Sequence, residues 1–334
     1  MFLKKRLIGF VFVFALFLTM APTIWCQGRG NRNGPVSSGV TVALEGTVRV
    51  SGAWALYPMM VKWAEEFRRA HPKVRVDVSA GGAGKGVADA LVSLVNVGMV
   101  SRDITREEVR QGAFYVPVVK DAVFPMMSDQ NPVLLKGLSQ KGIKKKIFIE
   151  LWIKGRDMTW GEIIESEPKY KVHVYTRSDS CGAAETWAQY LGKKKQEDLQ
   201  GIGVYGDPGL AEAVRKDPMG IGFNNLNYAF DFKTGLPPKG LMVVPVDLNE
   251  NGKIDPGEEL TTKIKAIQAV ASGVYPSPPA RNLNLVTKNS FKGLTREFIR
   301  WILTDGQKYV DETGYIPLMK IQVDAALKKL DVNP

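Results

Sequence analysis

The sequence predicts an α/β protein built from strand, turn and helix units around parallel sheet. Short β-branched runs alternate with runs of helical period from residue 40 onward. Several of those strands open into Gly-rich turns just before a helix, and no internal repeat or long low-complexity tract interrupts the alternation. With 334 residues, 45% hydrophobic and 24% charged, the chain is too apolar for disorder. It is long enough for about two domains with cores of their own.

The elements follow in order. Thr47–Ser51 (TVRVS) reads as a strand. Pro58 to Ala70 reads as a helix, with Pro58 at its start and Met59, Trp63, Phe67 and Ala70 at spacings of three and four. Val74–Ser79 is the next strand and Val87 to Val95 the next helix, its apolar positions being Val87, Leu91, Leu94 and Val95. Asn96–Val100 is a third strand. Thr105 with Glu108 three residues on forms a capping box that opens another helix. Later, Val172–Tyr175 reads as a strand, Ala183–Leu191 as a helix and Leu241–Val246 as a strand.

The N-terminus has the layout of an export signal. Lys4, Lys5 and Arg6 precede the uncharged stretch Leu7–Met20, which is short for a membrane span. Residues 1–26 are therefore expected to be a signal peptide, of lipoprotein type if Cys26 carries lipid, although Trp25 is bulky for that position. Residues 27–41, rich in Gly, Asn and Ser, read as a flexible tether. The mature chain is expected in the periplasm or another extracytoplasmic space.

Composition narrows the chemistry. The chain has 45 Lys+Arg against 34 Asp+Glu, a formal charge of +11, and three of the positive charges belong to the leader. Two histidines and two cysteines are too few for zinc fingers, iron–sulfur clusters or a disulfide framework. The basic runs Lys144–Lys146 and Lys193–Lys195 lack interleaved aromatics and a recognised module, so no nucleic-acid partner is expected.

Four strand-to-helix turns carry the candidate chemistry: Ser51–Pro58 (SGAWALYP), Ser79–Gly86 (SAGGAGKG), Ser101–Asp103 (SRD) and Arg177–Gly182 (RSDSCG). Free N–H groups and the positive end of the helix dipole make such turns anion cradles. In open α/β sheets they line a crevice at the carboxyl ends of the strands. Arg102 and Arg177 lie inside two of them, and an Arg fork matches the oxygens of a tetrahedral oxyanion. A surface pairing of Arg102 with Asp103 or Glu107 is the bland alternative. GGAGKG lacks the hydroxyl that a nucleotide P-loop places after its Lys, since Val87 follows Gly86. Gly201–Gly206 (GIGVYG) matches GxGxxG, but KKKQEDLQ before it is no strand, so it reads as a turn.

These four turns resemble those of periplasmic phosphate-binding proteins, the solute-binding subunits of ABC phosphate importers. SGAWALYPMMVKWAEEF is similar to the family's opening turn and helix, SAGGAGKGVADAL to its second turn, VNVGMVSRDIT to its third and RSDSCGAAETW to its fourth. MGIGFNNLNYAF and YPSPPARNLNLVTK are similar to later family segments, so the resemblance runs from about Val48 to the C-terminus. It implies a type II-like two-lobe clamshell, each lobe a central sheet flanked by helices. Lobe one would be 42–118 plus 279–334 and lobe two 119–278, with crossovers near Val116–Phe124 and Asn282–Thr287.

The resemblance also implies a binding set: Ala55, Leu56 and Tyr57 from the first turn, Ala83 and Gly84 from the second, Ser101 and Arg102 from the third. Arg177, Ser180, Cys181, Gly182 and Ala183 come from the fourth, with Arg177 matching the family's phosphate-clamping arginine. The departures run one way. Leu56, Ala83, Cys181 and Ala183 stand where the family has hydroxyl side chains, and Ser101 where some members have Asp. The implied ligand is inorganic phosphate, with tungstate, molybdate or sulfate behind it. The implied partners are the permease subunits of an ABC importer, the chain itself being a monomer. A phosphate-sensing surface protein without transport is the alternative.

Asp247–Glu258 (DLNENGKIDPGE) fits the calcium-loop pattern at every constrained position. Asp247, Asn249, Asn251 and Asp255 offer side-chain oxygens, Lys253 a carbonyl and Glu258 a bidentate carboxylate, while Gly252 permits the sharp turn and Ile254 points inward. These hard oxygen donors suit a structural Ca2+. Because Leu241–Val246 before it reads as a strand, a helix–loop–helix sensor is not expected. Catalysis is the competing class. Cys181, at a helix N-terminus beside Arg177, has the setting of a low-pKa nucleophile. The Cys-x5-Arg phosphatase loop is absent, however, and neither His71 nor His173 has an evident orienting partner. The expectation is a binder with an inert buried thiol, and no enzyme.

Overall fold

A computed structural model describes residues 43–132, 137–165 and 169–332. The expected signal peptide, its Cys26 and the tether lie outside the described residues. In chain order the strands are β1 (Gly46–Gly52), β2 (Val74–Ala80), β3 (Val97–Val100), β4 (Ala113–Ser128), β5 (Ile143–Lys144) and β6 (His173–Arg177). They continue as β7 (Ile202–Val204), β8 (Gly220–Asn225), β9 (Leu241–Val243), β10 (Val246–Asp247) and β11 (Ala280–Lys288).

The main sheet runs β2-β1-β3-β11-β4-β8-β6-β7, with β9 also on β4; β10 and β5 form a separate ladder. Pairings β1–β2, β1–β3, β6–β7 and β6–β8 are parallel, as strand–helix alternation requires. The two long strands depart from that expectation. β11 lies antiparallel to β3 and β4, and β4 antiparallel to β8 and β9. The sheet is mixed because these strands are crossovers and not members of βαβ units.

Two hydrophobic cores divide the molecule into lobes. One gathers Val48 to Val119 and Leu283 to Leu330; the other gathers Ala122 to Ala280, with Ile316 added from the C-terminal segment. The change of core falls on β4 between Val119 and Ala122, and on β11 between Ala280 and Leu283. Asp121 and Arg281 face each other in register at that point, and their side chains form a buried ion pair at 3.2 Å. The second core contains an aromatic cluster of Phe148, Trp152, Trp187 and Phe223, with ring centroids 5.4–6.0 Å apart. Such pairs each add about 0.5–1.5 kcal/mol beyond the area they bury.

Local chemistry sets the helix boundaries. Tyr57–Ala70 begins with Pro58 in its first turn and buries Met59, Met60, Trp63, Ala64 and Phe67, whereas Ala70 ends up exposed. The expected Val87–Val95 helix is instead Ala83–Leu91, shifted towards its N-cap Gly82 (φ +92°). It stops because Ser93 takes a left-handed φ of +58°, leaving Val92 and Leu94 exposed. Both halves of the Thr105–Glu108 capping box form, at 2.8 and 3.2 Å. GIGVYG is no simple turn: Ile202–Val204 is a strand leading into the helix Gly206–Lys216. Gly201 and Gly203 lie before and within that strand, so the nucleotide fingerprint stays unmatched. The expected strand Leu241–Val246 is split into β9 and β10.

Candidate anion-binding site

The four turns meet at the carboxyl ends of β1, β2, β3 and β6. The first and second are joined by Gly81 and Gly82 N–H groups donating to the Gly52 carbonyl, at 2.9 and 3.1 Å. The first and third are joined by Ala53 N–H to Met99 O, at 2.9 Å. The fourth turn, from the other lobe, comes down on both: Gly84 N–H donates to Ser180 O at 3.4 Å, and Gly182 packs directly on Ser101. A Cβ on Gly84 would stand 2.7 Å from that of Ser180, and one on Gly182 would stand 2.6 Å from the Ser101 carbonyl carbon. The lobes are therefore closed on each other here, and only glycine permits that approach.

The predicted residues divide into two groups. Ala55 and Leu56 lie buried in the 3-10 turn Trp54–Leu56, with Tyr57 opening the following helix. Ala83 and Gly84 begin the helix Ala83–Leu91; Cys181 caps the helix Gly182–Tyr190, in which Ala183 is buried. The first N–H groups of those helices have no acceptor within their own helix. These positions, with Ser101 and Ser180, are brought together. Arg102 is not: both its Nη atoms bind Glu108, at 2.9 and 2.7 Å, and Nη1 also donates to the Asp103 carbonyl. The partner is Glu108, whereas sequence suggested Asp103 or Glu107. Its guanidinium serves the loop, so Arg102→Ala should change anion affinity less than about threefold by calorimetry.

Arg177 is the cation at the end of β6, where the fourth turn begins. Its side chain is wholly buried, with Nε and Nη2 on Asp179 at 2.8 and 2.6 Å and Nη1 on Asp207 at 2.8 Å. Of the five N–H groups of a guanidinium, these three bonds to carboxylates use three. The network extends beyond the predicted set. Asp207 Oδ1 also accepts from Asn225 Nδ2 at 2.9 Å, and Asn225 Oδ1 accepts from Arg281. Arg281 in turn donates from Nε to the Ser101 carbonyl at 2.5 Å. A chain of buried polar groups thus runs from the third turn to the fourth beneath the closed cleft. Arg281 Nη1 and Asp207 Oδ2 are buried in it without a hydrogen-bond partner among the described residues. Burial raises the pKa of Asp207 against the pull of Arg177 and Arg281; burial likewise lifts Asp121 to about 6.

Sequence reasoning gave no role to Asp121, Asp179, Asp207, Asn225 or Arg281. A signal existed for two of them: Asp121 is a charge inside an apolar strand, and Arg281 has the inward parity of Leu283 and Leu285. The thiol is the inert, buried one that the sequence suggested: burial pushes Cys181 up to about 12, outweighing Arg177, so the helix N-terminus does not activate it. One further expectation is corrected. His173 does have an orienting partner, Asp217 at 2.7 Å, but sits at the start of β6, the opposite end from Arg177.

Residues 40–306 match the model of the PBP superfamily domain. The chain belongs to the PBP superfamily. Among curated relatives, this PBP-superfamily chain is 26% identical over 331 residues to the phosphate-binding protein PstS of Bacillus subtilis, covering 97% of this chain and 98% of that one. It is 26% identical over 299 residues to protein SphX of Synechococcus elongatus, covering 86% and 82%. A substrate-binding protein from Clostridium perfringens, solved with bound phosphate, superposes with a TM-score of 0.65 at 22% identity, over 82% of this chain and all of that one. An ABC-type phosphate transport receptor from Vibrio cholerae gives 0.59 at 19%, over 81% of this chain and all of that one. These neighbours share the two-lobe fold. No helix among the described residues is long and apolar enough to cross a membrane.

Proposed function

We propose that this protein binds inorganic phosphate between its lobes and delivers it to the permease of an ABC importer outside the cytoplasm. The observation that carries the reading is the meeting of four strand-end turns across the two lobes, with Arg177 at the end of the strand that leads into the fourth, in a chain whose relatives include phosphate-binding proteins along nearly its whole length. Leu56, Ala83, Cys181 and Ala183 lack hydroxyl donors, and the Leu56 and Cys181 N–H groups are given to Ala53 O and Gln196 Oε1, so the replacement donors are the N–H groups of Ala83 and Ala183 in the first turns of their helices. The anion is held by N–H dipoles and the two Arg177 N–H groups that the carboxylates do not use, in a site where Asp179 and Asp207 together more than offset the charge of the arginine.

Those carboxylates bear on selectivity. An acceptor beside the clamp suits an oxyanion that still carries a proton and repels one that is fully ionised. Asp179 and Asp207 supply such carboxylates, whereas the Ser101 hydroxyl can accept but also donates and carries no charge to repel a fully ionised anion. Binding without bond-making fits a Cys181 thiol that burial pushes up to about 12 although Arg177 is near it. Calorimetry on the mature protein tests the reading: phosphate should bind at least about a hundredfold more tightly than sulfate, a difference of roughly 2.7 kcal/mol. Equal heats for the two anions, or heat from tungstate or sulfate but none from phosphate, would overturn it.

A further inference from the structure

We propose that Asp247–Glu258 is a calcium-binding loop that ties down one edge of the second lobe. The segment starts on β10, which pairs with β5, and Ile254 N–H donates to Gln140 O at 2.8 Å, so both halves of the loop are anchored to the lobe. Gly252, at φ +88°, makes the turn. Asp247 accepts from the N–H groups of Asn251 and Gly252 at 3.0 and 2.7 Å. Glu258 accepts from those of Leu248, Asn249 and Asp255 at 3.1, 3.2 and 3.0 Å. Any polar turn could form bonds of this kind.

The charge balance is a separate matter. Among the described residues, five carboxylate side chains are buried: Asp89, Asp121, Asp207, Asp247 and Glu258. The first three each have a cation, namely Lys85, Arg281 and Arg177. Asp247 and Glu258, at 0% and 3% exposure, have none within 4 Å among the described residues. Lys253, the basic side chain of the loop, pairs with half-buried Asp255 at 2.9 Å and acts on Glu258 only through its longer-range field. Two buried carboxylates held by neutral N–H groups, with no cation in direct contact among the described residues, are placed for a cation to complete them.

These two are the first and last ligand positions of the twelve-residue pattern, the ones that bear most directly on the metal. Asn249, Asn251 and Asp255 add side-chain oxygens between them, and Lys253 a carbonyl. A set of more than six hard oxygens with one two-oxygen carboxylate fits Ca2+ better than the smaller, octahedral Mg2+.

The test uses the mature protein stripped with a chelator, then titrated with CaCl2 by calorimetry and melted with and without the metal. One site per chain is expected, with a raised unfolding midpoint at about 5 mM Ca2+ and a smaller rise with Mg2+. Glu258→Gln should weaken Ca2+ binding at least about tenfold. Asn249→Ala, at an exposed position, should weaken it too and serves if the first variant does not fold. Phosphate titration of each variant, expected to be unchanged, reports that the cleft is intact. Absence of heat and of any midpoint shift in the parent protein overturns the proposal, as does variant binding equal to the parent's or an equal response to Mg2+.

Discussion

Gly182→Ala is expected to weaken phosphate binding by about a hundredfold or more, roughly 2.7 kcal/mol, while leaving each lobe folded. The reason is steric. The new methyl would overlap the Ser101 carbonyl and hydroxyl, which belong to the opposite lobe, so the overlap exists only when the lobes are closed. In the open state the methyl meets solvent, and the backbone of Gly182 is ordinary helix that alanine adopts. The variant therefore penalises one conformation of two, and binding falls by the amount closure is penalised. Small-angle scattering gives the second readout. The parent should contract on adding phosphate and the variant should not. A variant that binds and contracts like the parent would mean that the lobes do not close on this contact.

Arg177→Ala should abolish phosphate binding and also destabilise the protein by about 3–5 kcal/mol, because it strands Asp179 and Asp207 without their cation. The two effects separate in Arg177→Ala/Asp207→Asn. Removing one stranded charge should recover part of the melting temperature, read by calorimetric unfolding, yet no phosphate binding should return. Recovery of binding in the double variant would remove Arg177 from the clamp and leave it a purely structural ion-pair partner.

How much of this was legible in the sequence depended on range. The alternation of strand and helix, the capping box at Thr105 and the four turns are local patterns, and the structure has them within a few residues. The helix after Gly82 was displaced because its apolar positions Leu94 and Val95 continue the pattern past a left-handed Ser93 that no periodicity reveals. The mixed sheet was missed for a different reason. β4 and β11 are antiparallel neighbours separated by some 150 residues of chain, and alternation alone carries no information about such pairings. The same holds for the site. Arg177 and Asp179 are two residues apart and visible together, whereas Asp207, Asn225 and Arg281 join them only through the fold. Arg102 shows the opposite error: a cation in the right turn whose nearest carboxylate claims it.

The crossing of the chain between lobes has a mechanical consequence. Both passages are made by β4 and β11, side by side and hydrogen-bonded along the crossing, with Asp121 and Arg281 paired in the middle. Such a joint behaves as a flexure: it bends and twists as one ribbon, where two independent loops would let the halves swing about many axes. Few orientations of one lobe against the other are then available before the ligand arrives. Ordering them costs little on binding, so more of the contact energy at the four turns remains as affinity.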